Sequence, residues 1–239
     1  MENRMNNIKN NSIEKAIESL KNGKMILLFD AAEREGETDF VIPASKITTE
    51  HIYQMRKDGG GLICVAIDPK AAAKLDLPFY ADILRNSHIN ENIGKLVEKD
   101  GDLSYDSKSS FSIWVNHRDT FTGITDRDRV LTISRIGAFV KSALNGGSAD
   151  LSTEFRSPGH VSLLRAAEGL MHERTGQTEL SVALAELADL TPAMAICEML
   201  DGKNGLALSK TDAIKYAKEH GLVFVEGKDV IEAYDKNRN

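Results

Sequence analysis

Apolar residues follow two spacings along the chain, and segments with the two spacings alternate. Continuous apolar runs of strand length cover residues 25–29, 62–67 and 193–197, which is typical of buried strands. Shorter or alternating apolar patterns predict four more strands, at 40–42, 111–115, 161–164 and 222–225. Helices are predicted in six further segments, at 12–22, 49–57, 130–144, 178–187, 209–220 and 230–234. The one-face spacing of an amphipathic helix is clear in 12–22 and 178–187.

This alternation predicts an α+β fold in which helices cover a mixed sheet. Residues 86–110 are polar and without clear periodicity, so we expect a long excursion there rather than a linker. The Asn-rich segment 1–11 is expected to be a disordered polar N-terminus. Because the chain has neither a repeat nor a convincing linker, we predict one domain over residues 1–239.

Composition excludes some functions and leaves many open. Hydrophobic residues make up 41% of the 239 residues and charged residues 28%, which is ordinary for a globular protein. Lys and Arg total 30 against 36 Asp and Glu, and the net charge of −6 argues against a nucleic-acid partner. The apolar runs are too short for a membrane helix. Cys64 and Cys197 show no metal-ligand spacing, which favours a reducing cytoplasmic location.

The segment Asp30–Asp39 follows the first predicted strand and holds five carboxylates and one arginine within ten residues. Carboxylates this dense repel one another unless a cation lies among them. Gly36 allows the sharp turn that such a loop requires. Hard cations such as Mg²⁺ prefer carboxylate oxygens, so the loop is a candidate metal site. A solvated acidic surface loop is an equally good interpretation of this segment alone.

Two polar segments flank the predicted strands of the second half. The loop 120–126 offers backbone N–H groups and hydroxyls, including that of Thr122, to a phosphate, although a capped turn before a helix explains it about as well. The segment 156–160 predicts a rigid turn that presents His160 just before a strand. A lone histidine is more often structural.

The segment Arg174–Glu179 lies where a helix is predicted to begin. A helix N-terminus and a guanidinium group together favour an anion, whereas Thr178 is equally well explained as an ordinary N-cap. Glu198 follows a buried strand directly. A carboxylate at a strand end commonly points into a site, and an exposed turn is the simpler alternative.

Taken together and in this order, these segments resemble the 3,4-dihydroxy-2-butanone 4-phosphate synthase family in its short, single-domain type. The resemblance extends over nearly the whole chain and rests on six segments, at 30–39, 60–64, 121–126, 157–165, 174–179 and 197–198. It implies a three-layer α/β/α fold around a mixed twisted sheet. It also implies a lyase of riboflavin biosynthesis that converts D-ribulose 5-phosphate to 3,4-dihydroxy-2-butanone 4-phosphate and formate, through an enediolate that Mg²⁺ (or Mn²⁺) stabilises. The partner would be a second copy, in a homodimer with sites at the interface.

The resemblance also implies residue roles. Metal binding would fall to Glu35 and to position 177. Catalytic groups would be His160, Glu198, Glu37 and Asp30. Substrate-binding positions would be Arg34, Glu35, Asp39, Cys64, Thr122, Arg174, Thr175, Gly176, Gln177, Thr178 and Glu198. Burial in the core accounts for Cys64 as well as a place in the pocket does.

One position departs from the family pattern, which normally reads Arg-x-Gly-His-Thr-Glu with the histidine as a metal ligand. This chain has Gln177 there. A glutamine oxygen can bind Mg²⁺, but it is neutral and cannot exchange a proton near neutral pH, so we expect weaker metal binding and slower turnover. Two alternatives remain: a catalytically impaired relative that binds sugar phosphates, and another Mg²⁺-dependent sugar-phosphate isomerase.

Overall fold

A seven-stranded mixed sheet organises the chain, and the computed structural model describes residues 2–87, 91–99, 101–106 and 108–238. The strands are β1 (Ile26–Phe29), β2 (Thr38–Pro43), β3 (Cys64–Ile67), β4 (Phe111–His117), β5 (Phe155–Arg165), β6 (Ala193–Glu198) and β7 (Val223–Glu226). Their order across the sheet is β4-β5-β3-β6-β2-β1-β7. Parallel pairs join β1 to β7 and β3 to β5, and the other neighbours are antiparallel. The predicted mixed sheet is confirmed.

Helices cover both faces of this sheet. Those of the described residues are α1 (Glu2–Lys21), α2 (Thr49–Gln54), α3 (Pro69–Lys74), α4 (Tyr80–Arg85), α5 (Glu91–Gly94), α6 (Asp126–Leu144), α7 (Gln177–Leu187), α8 (Lys210–His220) and α9 (Gly227–Arg238). Buried residues of α1, α7 and α9 form one apolar cluster with one face of the sheet. Those of α2, α3, α6 and α8 form the other cluster with the opposite face. The fold therefore has the predicted three layers, α/β/α.

Strand residues alternate between the two clusters because successive side chains point to opposite faces. In β2, Phe40 packs on the side of α6 and Val41 on the side of α7. By the same alternation, Asp39 in β2 and Glu198 in β6 share the face that carries α7. No helix among the described residues is long and apolar enough to cross a membrane.

The predicted strands and helices are found, but several of their boundaries differ. Helix α1 begins at Glu2, so residues 2–11, expected to be disordered, continue the helix. Helix α6 begins at Asp126 rather than 130, because its polar first turn is capped by Thr125, whose hydroxyl accepts a hydrogen bond from the N–H of Asp128 at 3.2 Å. The predicted excursion at 86–110 contains α5 and turns, and residues 88–90, 100 and 107 lie outside the described residues.

Strand β5 departs most from the prediction. It begins at Phe155 rather than at 161, and the segment expected as a turn before the strand lies within it. The ladder to β4 is interrupted there, since Asn116 pairs with Arg156 while the preceding Val115 pairs with Val161. Residues 157–160 therefore bulge out of the ladder. The bulge is polar, which is why it lacked a strand pattern.

Candidate active site

The acidic loop between β1 and β2 is held in place by its own first carboxylate. Asp30 is buried, and its side chain accepts hydrogen bonds from the backbone N–H groups of Glu35 at 3.1 Å and Glu37 at 3.0 Å. It also accepts one from Nη1 of Arg34 at 3.2 Å. Gly36 completes the turn with a φ of +70°, in the region that glycine adopts at no steric cost. Asp30 therefore fixes the positions of the charged side chains that follow it.

Two carboxylates face each other where β2 begins and β6 ends. Asp39 pairs in register with Glu198 on the neighbouring antiparallel strand. Asp39 is only 1% exposed, and its Oδ1 atom has no hydrogen-bond partner among the described residues. Glu198 Oε2 accepts a hydrogen bond from the N–H of Leu62 at 2.8 Å. Gly61 makes this approach possible, because a Cβ atom there would lie 2.7 Å from that of Glu198.

Crowding and burial make these carboxyl groups hard to ionise. Burial raises the pKa of Asp39 well above its ordinary value, and the charges of Glu198 and Glu37 raise it further. Burial also raises the pKa of Glu198. The pKa of Glu37 rises to about 7, through burial and the charges of Glu35 and Glu198. A bound cation would oppose each of these shifts.

Gln177, the first residue of α7, presents an oxygen atom to this cluster. The side chain is 6% exposed, and its Nε2 atom donates to the backbone carbonyls of Leu28 at 3.0 Å and Glu37 at 3.2 Å. Because both partners accept, they fix which end of the amide is the nitrogen. The Oε1 atom is buried without a hydrogen-bond partner among the described residues. A buried, unsatisfied carbonyl oxygen costs about 1–3 kcal/mol, so this atom is suited to a ligand.

Two guanidinium groups converge at the N-terminus of α7. Arg34 forms an ion pair with Asp106 at 2.7 Å, and Arg174 contacts the same Asp106 carboxylate through Nε. Arg174 is also paired with Glu179 at 2.6 Å. Gly176 leaves room for both arginines, since a Cβ atom there would lie 2.7 Å from Cζ of Arg174 and 2.9 Å from Nη2 of Arg34. The first N–H groups of a helix and two guanidinium groups together favour an anion.

A cavity of about 280 Å³ extends from the carboxylate cluster to Arg174, which shares its partner Asp106 with Arg34. Seven of the predicted site residues line it: Glu35, Asp39, Cys64, Arg174, Gln177, Thr178 and Glu198. Cys64 is 2% exposed and also belongs to the apolar cluster under α7, so both interpretations of this residue hold. Burial raises the pKa of its thiol well above the ordinary value, and Cys64 is therefore a neutral wall of the cavity.

The other seven predicted residues do not line this cavity. Four of them adjoin it through the contacts described above: Asp30, Arg34, Glu37 and Gly176. The remaining three lie elsewhere. Thr175 is exposed and lines a separate cavity on the other side of the acidic loop. His160 lies on the exposed bulge of β5, and Thr122 lies on the exposed loop before α6. The backbone N–H groups of the Thr122 loop donate to the Asp128 carboxylate, at 2.7 Å from Gly123 and 3.1 Å from Thr122. Of the two interpretations of this loop, these bonds favour the capped turn before a helix over a phosphate site within the chain.

Asn116 connects these two outlying segments. Its Oδ1 atom accepts the backbone N–H of His160 at 2.8 Å, and its Nδ2 atom lies 3.1 Å from Nδ1 of the same histidine. A Cβ atom on Gly123 would clash with the Asn116 side chain. The structure therefore brings the His160 bulge and the Thr122 loop together as a second polar group at the edge of the sheet.

Sequence reasoning missed Asn116 and Asp106. Asn116 ends an alternating strand pattern and carries no signal of its own. Asp106 lies in the polar excursion, and its partners are 68 and 72 residues away in the sequence. A lone acidic residue in such a segment is indistinguishable from a solvated one.

The residues of the cavity suit a divalent cation only if Gln177 takes part. Among the residues that the structure describes, no three His, Cys, Asp or Glu side chains are close enough to hold a metal ion by themselves. Glutamine is outside that set, and Gln177, whose Oε1 atom is unpaired among the described residues, lines the same cavity as Glu35. Magnesium commonly takes one or two carboxylates and completes its shell with water and substrate oxygens. This donor set therefore fits a hard cation.

A small cavity that combines crowded carboxylates, a free amide oxygen and two guanidinium groups is typical of enzymes that act on small anionic substrates with the help of a divalent cation. The profile of the 3,4-dihydroxy-2-butanone 4-phosphate synthase family matches residues 14–233. The chain belongs to this family.

Curated relatives and solved structures agree with this match. The chain is 59% identical over 226 residues to the 3,4-dihydroxy-2-butanone 4-phosphate synthase of Methanosarcina acetivorans, covering 94% of this chain and 92% of the relative. The enzyme of Candida albicans is 32% identical over 224 residues, covering 94% and 97%. A crystal structure of a 3,4-dihydroxy-2-butanone 4-phosphate synthase in complex with two magnesium ions superposes with a TM-score of 0.74 at 28% identity, covering 95% and 97%. The cation-free form gives 0.75 at 27% identity, covering 95% and 98%.

Proposed function

We propose that this chain converts D-ribulose 5-phosphate to 3,4-dihydroxy-2-butanone 4-phosphate and formate, a carbon–carbon lyase step of riboflavin biosynthesis. The observation that carries the proposal is the single cavity that joins Asp39 and Glu198 to Arg174 and Gln177. The family membership supports it, as does a 32% identical relative in Bacillus subtilis that is named a riboflavin biosynthesis protein. The cavity supplies a cationic end for a phosphate and an acidic end for proton transfer and a metal ion.

The phosphate end would be the N-terminus of α7. Arg34 and Arg174 would donate to the phosphate oxygens, and Thr178 lies at the first turn of the helix in the same cavity. Gly176 contributes by leaving space, because any side chain there would displace the arginines. Paired guanidinium groups suit the geometry of phosphate.

Glu35 and Oε1 of Gln177 would hold Mg²⁺ (or Mn²⁺) at the acidic end. The bound ion would supply positive charge beside the ketone oxygen and so favour the enediolate that forms when the neighbouring carbon loses its proton. The amide of Gln177 is already oriented by Leu28 and Glu37, so its oxygen needs no rearrangement to bind.

Proton transfers would be shared among the carboxyl groups whose pKa burial raises. Glu37, whose pKa is raised to about 7, can both accept and donate a proton at neutral pH. Glu198 lies in the cavity, where it can act on the substrate directly. Asp30 would act by holding the loop, because its carboxylate is used by the N–H groups of Glu35 and Glu37.

His160 and Thr122 would serve the cavity of a second copy in a homodimer. Both lie on exposed segments outside the cavity of their own chain. Phe121, beside Thr122, is 95% exposed, and Ile124 is 50% exposed. Exposed apolar side chains next to polar site residues are typical of an interface. We further propose that residues 1–239 act as one domain in the cytoplasm, in keeping with the buried free thiols of Cys64 and Cys197.

The decisive experiment measures formate release from ribulose 5-phosphate with Mg²⁺, for this chain and for Gln177→His. Formate from the chain as it stands supports the synthase, and we expect the histidine variant to be faster, by about tenfold or more, because the family's usual histidine ligand would replace a more weakly binding glutamine oxygen. Formate only from Gln177→His would support the second candidate, an impaired sugar-phosphate-binding relative, which Gln177 itself favours. Isomerisation without formate from either protein would overturn the proposed lyase activity.

A further inference from the structure

The carboxylate of Asp106 lies between the two guanidinium groups of the cavity. It is 2.7 Å from Nη2 of Arg34 and in direct contact with Nε of Arg174. The side chains of Asp106 and Arg34 are each 7% exposed, and that of Arg174 is 11% exposed. A charge pair buried to this degree is screened little by solvent.

The other acidic partners of these arginines are parts of the fixed site. Arg34 also pairs with Asp30, whose side chain is fully buried at the base of the loop, and with Glu35 at 2.9 Å. Arg174 also pairs with Glu179, which is fully buried in α7 and accepts the N–H of Ala167 at 3.0 Å. Both arginines therefore keep a carboxylate partner if Asp106 leaves.

Asp106 differs from these partners because a surface segment carries it. Among its described neighbours, Gly101, Asp102, Ser104 and Tyr105 are exposed. Tyr105 lies over the guanidinium group of Arg34, 5.5 Å from Cζ to the ring centroid. The segment thus reaches the arginines through two side chains and can withdraw without breaking the sheet or α7.

We propose that Asp106 is an internal competitor of the substrate's phosphate. It occupies the donors of Arg34 and Arg174 when no substrate is bound, and the phosphate displaces it. This inference rests on the proposed function in one respect, the assignment of the two arginines to the phosphate. A dianionic phosphate displaces a single carboxylate, whereas a sugar without phosphate has no group that can do so, and Asp106 therefore acts as a selectivity filter.

The size of the effect follows from the fraction of molecules in which the arginines are available. If Asp106 leaves them in about 1–10% of molecules, phosphate binds about 10- to 100-fold more weakly than it would without this competitor. Removing the charge of Asp106 should remove that penalty.

The test compares Asp106→Asn with the unchanged protein and with Asp102→Asn, using titration calorimetry with inorganic phosphate and no added metal. Asp102 is exposed on the same segment and accepts the N–H of Lys99, so its variant matches the change in charge without touching the arginines. We expect Asp106→Asn to lower the Kd for phosphate about 10- to 100-fold, and Asp102→Asn to leave it unchanged. An unchanged or higher Kd in Asp106→Asn overturns the inference.

A second readout uses the single tryptophan of the chain. Trp114 lies beside Leu96 and Val97 of the excursion and packs on Tyr80 at 5.0 Å between ring centroids. Phosphate should change its emission in the unchanged protein, and it should do so at lower concentration in Asp106→Asn. Formate assays on the same samples separate the two proposals. If Asp106→Asn binds phosphate more tightly but neither protein releases formate, the role of Asp106 is supported and the lyase activity is overturned. If formate is released but the affinity for phosphate is unaltered, the lyase activity is supported and the role of Asp106 is overturned.

Discussion

Asp39 and Glu198 are cross-strand partners, directly opposite each other on β2 and β6 and on the same face of the sheet. Directly opposed like charges destabilise a sheet. Asp39 is buried, and one of its oxygens has no hydrogen-bond partner among the described residues. The chain therefore keeps a pair that weakens the fold at the point where the cavity needs acidic groups.

Replacing Asp39 by Asn should stabilise the protein while it damages the activity. The amide cannot ionise, so the cost of charging Asp39 beside Glu198 disappears, and at a pH high enough to ionise both carboxyl groups the free energy of unfolding should rise by about 1–3 kcal/mol. That corresponds to an increase of several degrees in Tm for a chain of this size. Formate release should fall at least about 100-fold. Asp119→Asn is the control, since the Asp119 side chain is 83% exposed and its variant should change neither quantity; a lower Tm for Asp39→Asn would contradict the prediction.

The stability of the metal-free protein should fall as the pH rises from about 4.5 to 7. The pKa of Glu37 is about 7 in the folded protein against an ordinary value of 4.5, so the folded state binds more protons across this interval and stability is lost as they leave. Asp39 and Glu198, whose pKa values are also raised, act in the same direction.

Thermal unfolding across this range tests the sign. Glu37→Gln should flatten the decline, whereas Glu33→Gln, an exposed change on the same loop, should leave it as it is. A Tm that increases with pH over this interval would show that these carboxyl groups are not protonated in the folded state.

Gly61→Ala should lower the activity more than its small size suggests. The added methyl group would lie 2.7 Å from Cβ and 2.9 Å from the backbone oxygen of Glu198, so the catalytic carboxylate must shift. We expect a loss of about 1–3 kcal/mol in stability and a lower kcat. Gly202→Ala is the matched control, because nothing lies within 4 Å of its added atom; equal kcat values for both variants would contradict this role of Gly61.

Mixing two inactive variants tests whether the site is shared between copies. If His160 serves the cavity that contains Glu198 of the other chain, His160→Ala and Glu198→Ala should each be inactive alone. Mixed dimers would contain one intact site, so unfolding and refolding an equal mixture should restore about a quarter of the full activity. Restoration only to the level of the separate variants would place His160 in the cavity of its own chain.

The sequence predicted most of the sheet and only part of the site. Strands such as β1 and β6 were found because both of their faces are buried, which leaves an uninterrupted apolar run. Strand β5 begins earlier in the chain than predicted, because its first half is polar and bulges out of the ladder. Helices α3 and α4, of six residues each, are too short to show a period.

Within the site, residues adjacent in sequence were easier to find than those joined by folding. Glu35, Gly176 and Gln177 belong to compact motifs, and the structure places them around one cavity or against its arginines. Asp106 reaches the same arginines from an unpatterned excursion, which no local spacing indicates. Nothing in the sequence indicated that His160 lies away from the cavity, because the bulge that carries His160 depends on how β5 pairs with β4.

Helix α7 has a consequence for the way this molecule exchanges its amide hydrogens with solvent. Residues 177–185 are all buried, beneath α1 and α9 and against the sheet, so their amides should be among the last to exchange. Asp106 contacts Arg174, just before this helix, through an ion pair between their side chains. The cavity thus has one wall whose amides should exchange slowly and another, in a surface segment, whose amides should exchange quickly, and displacement of Asp106 by phosphate should appear as still faster exchange on the second wall only.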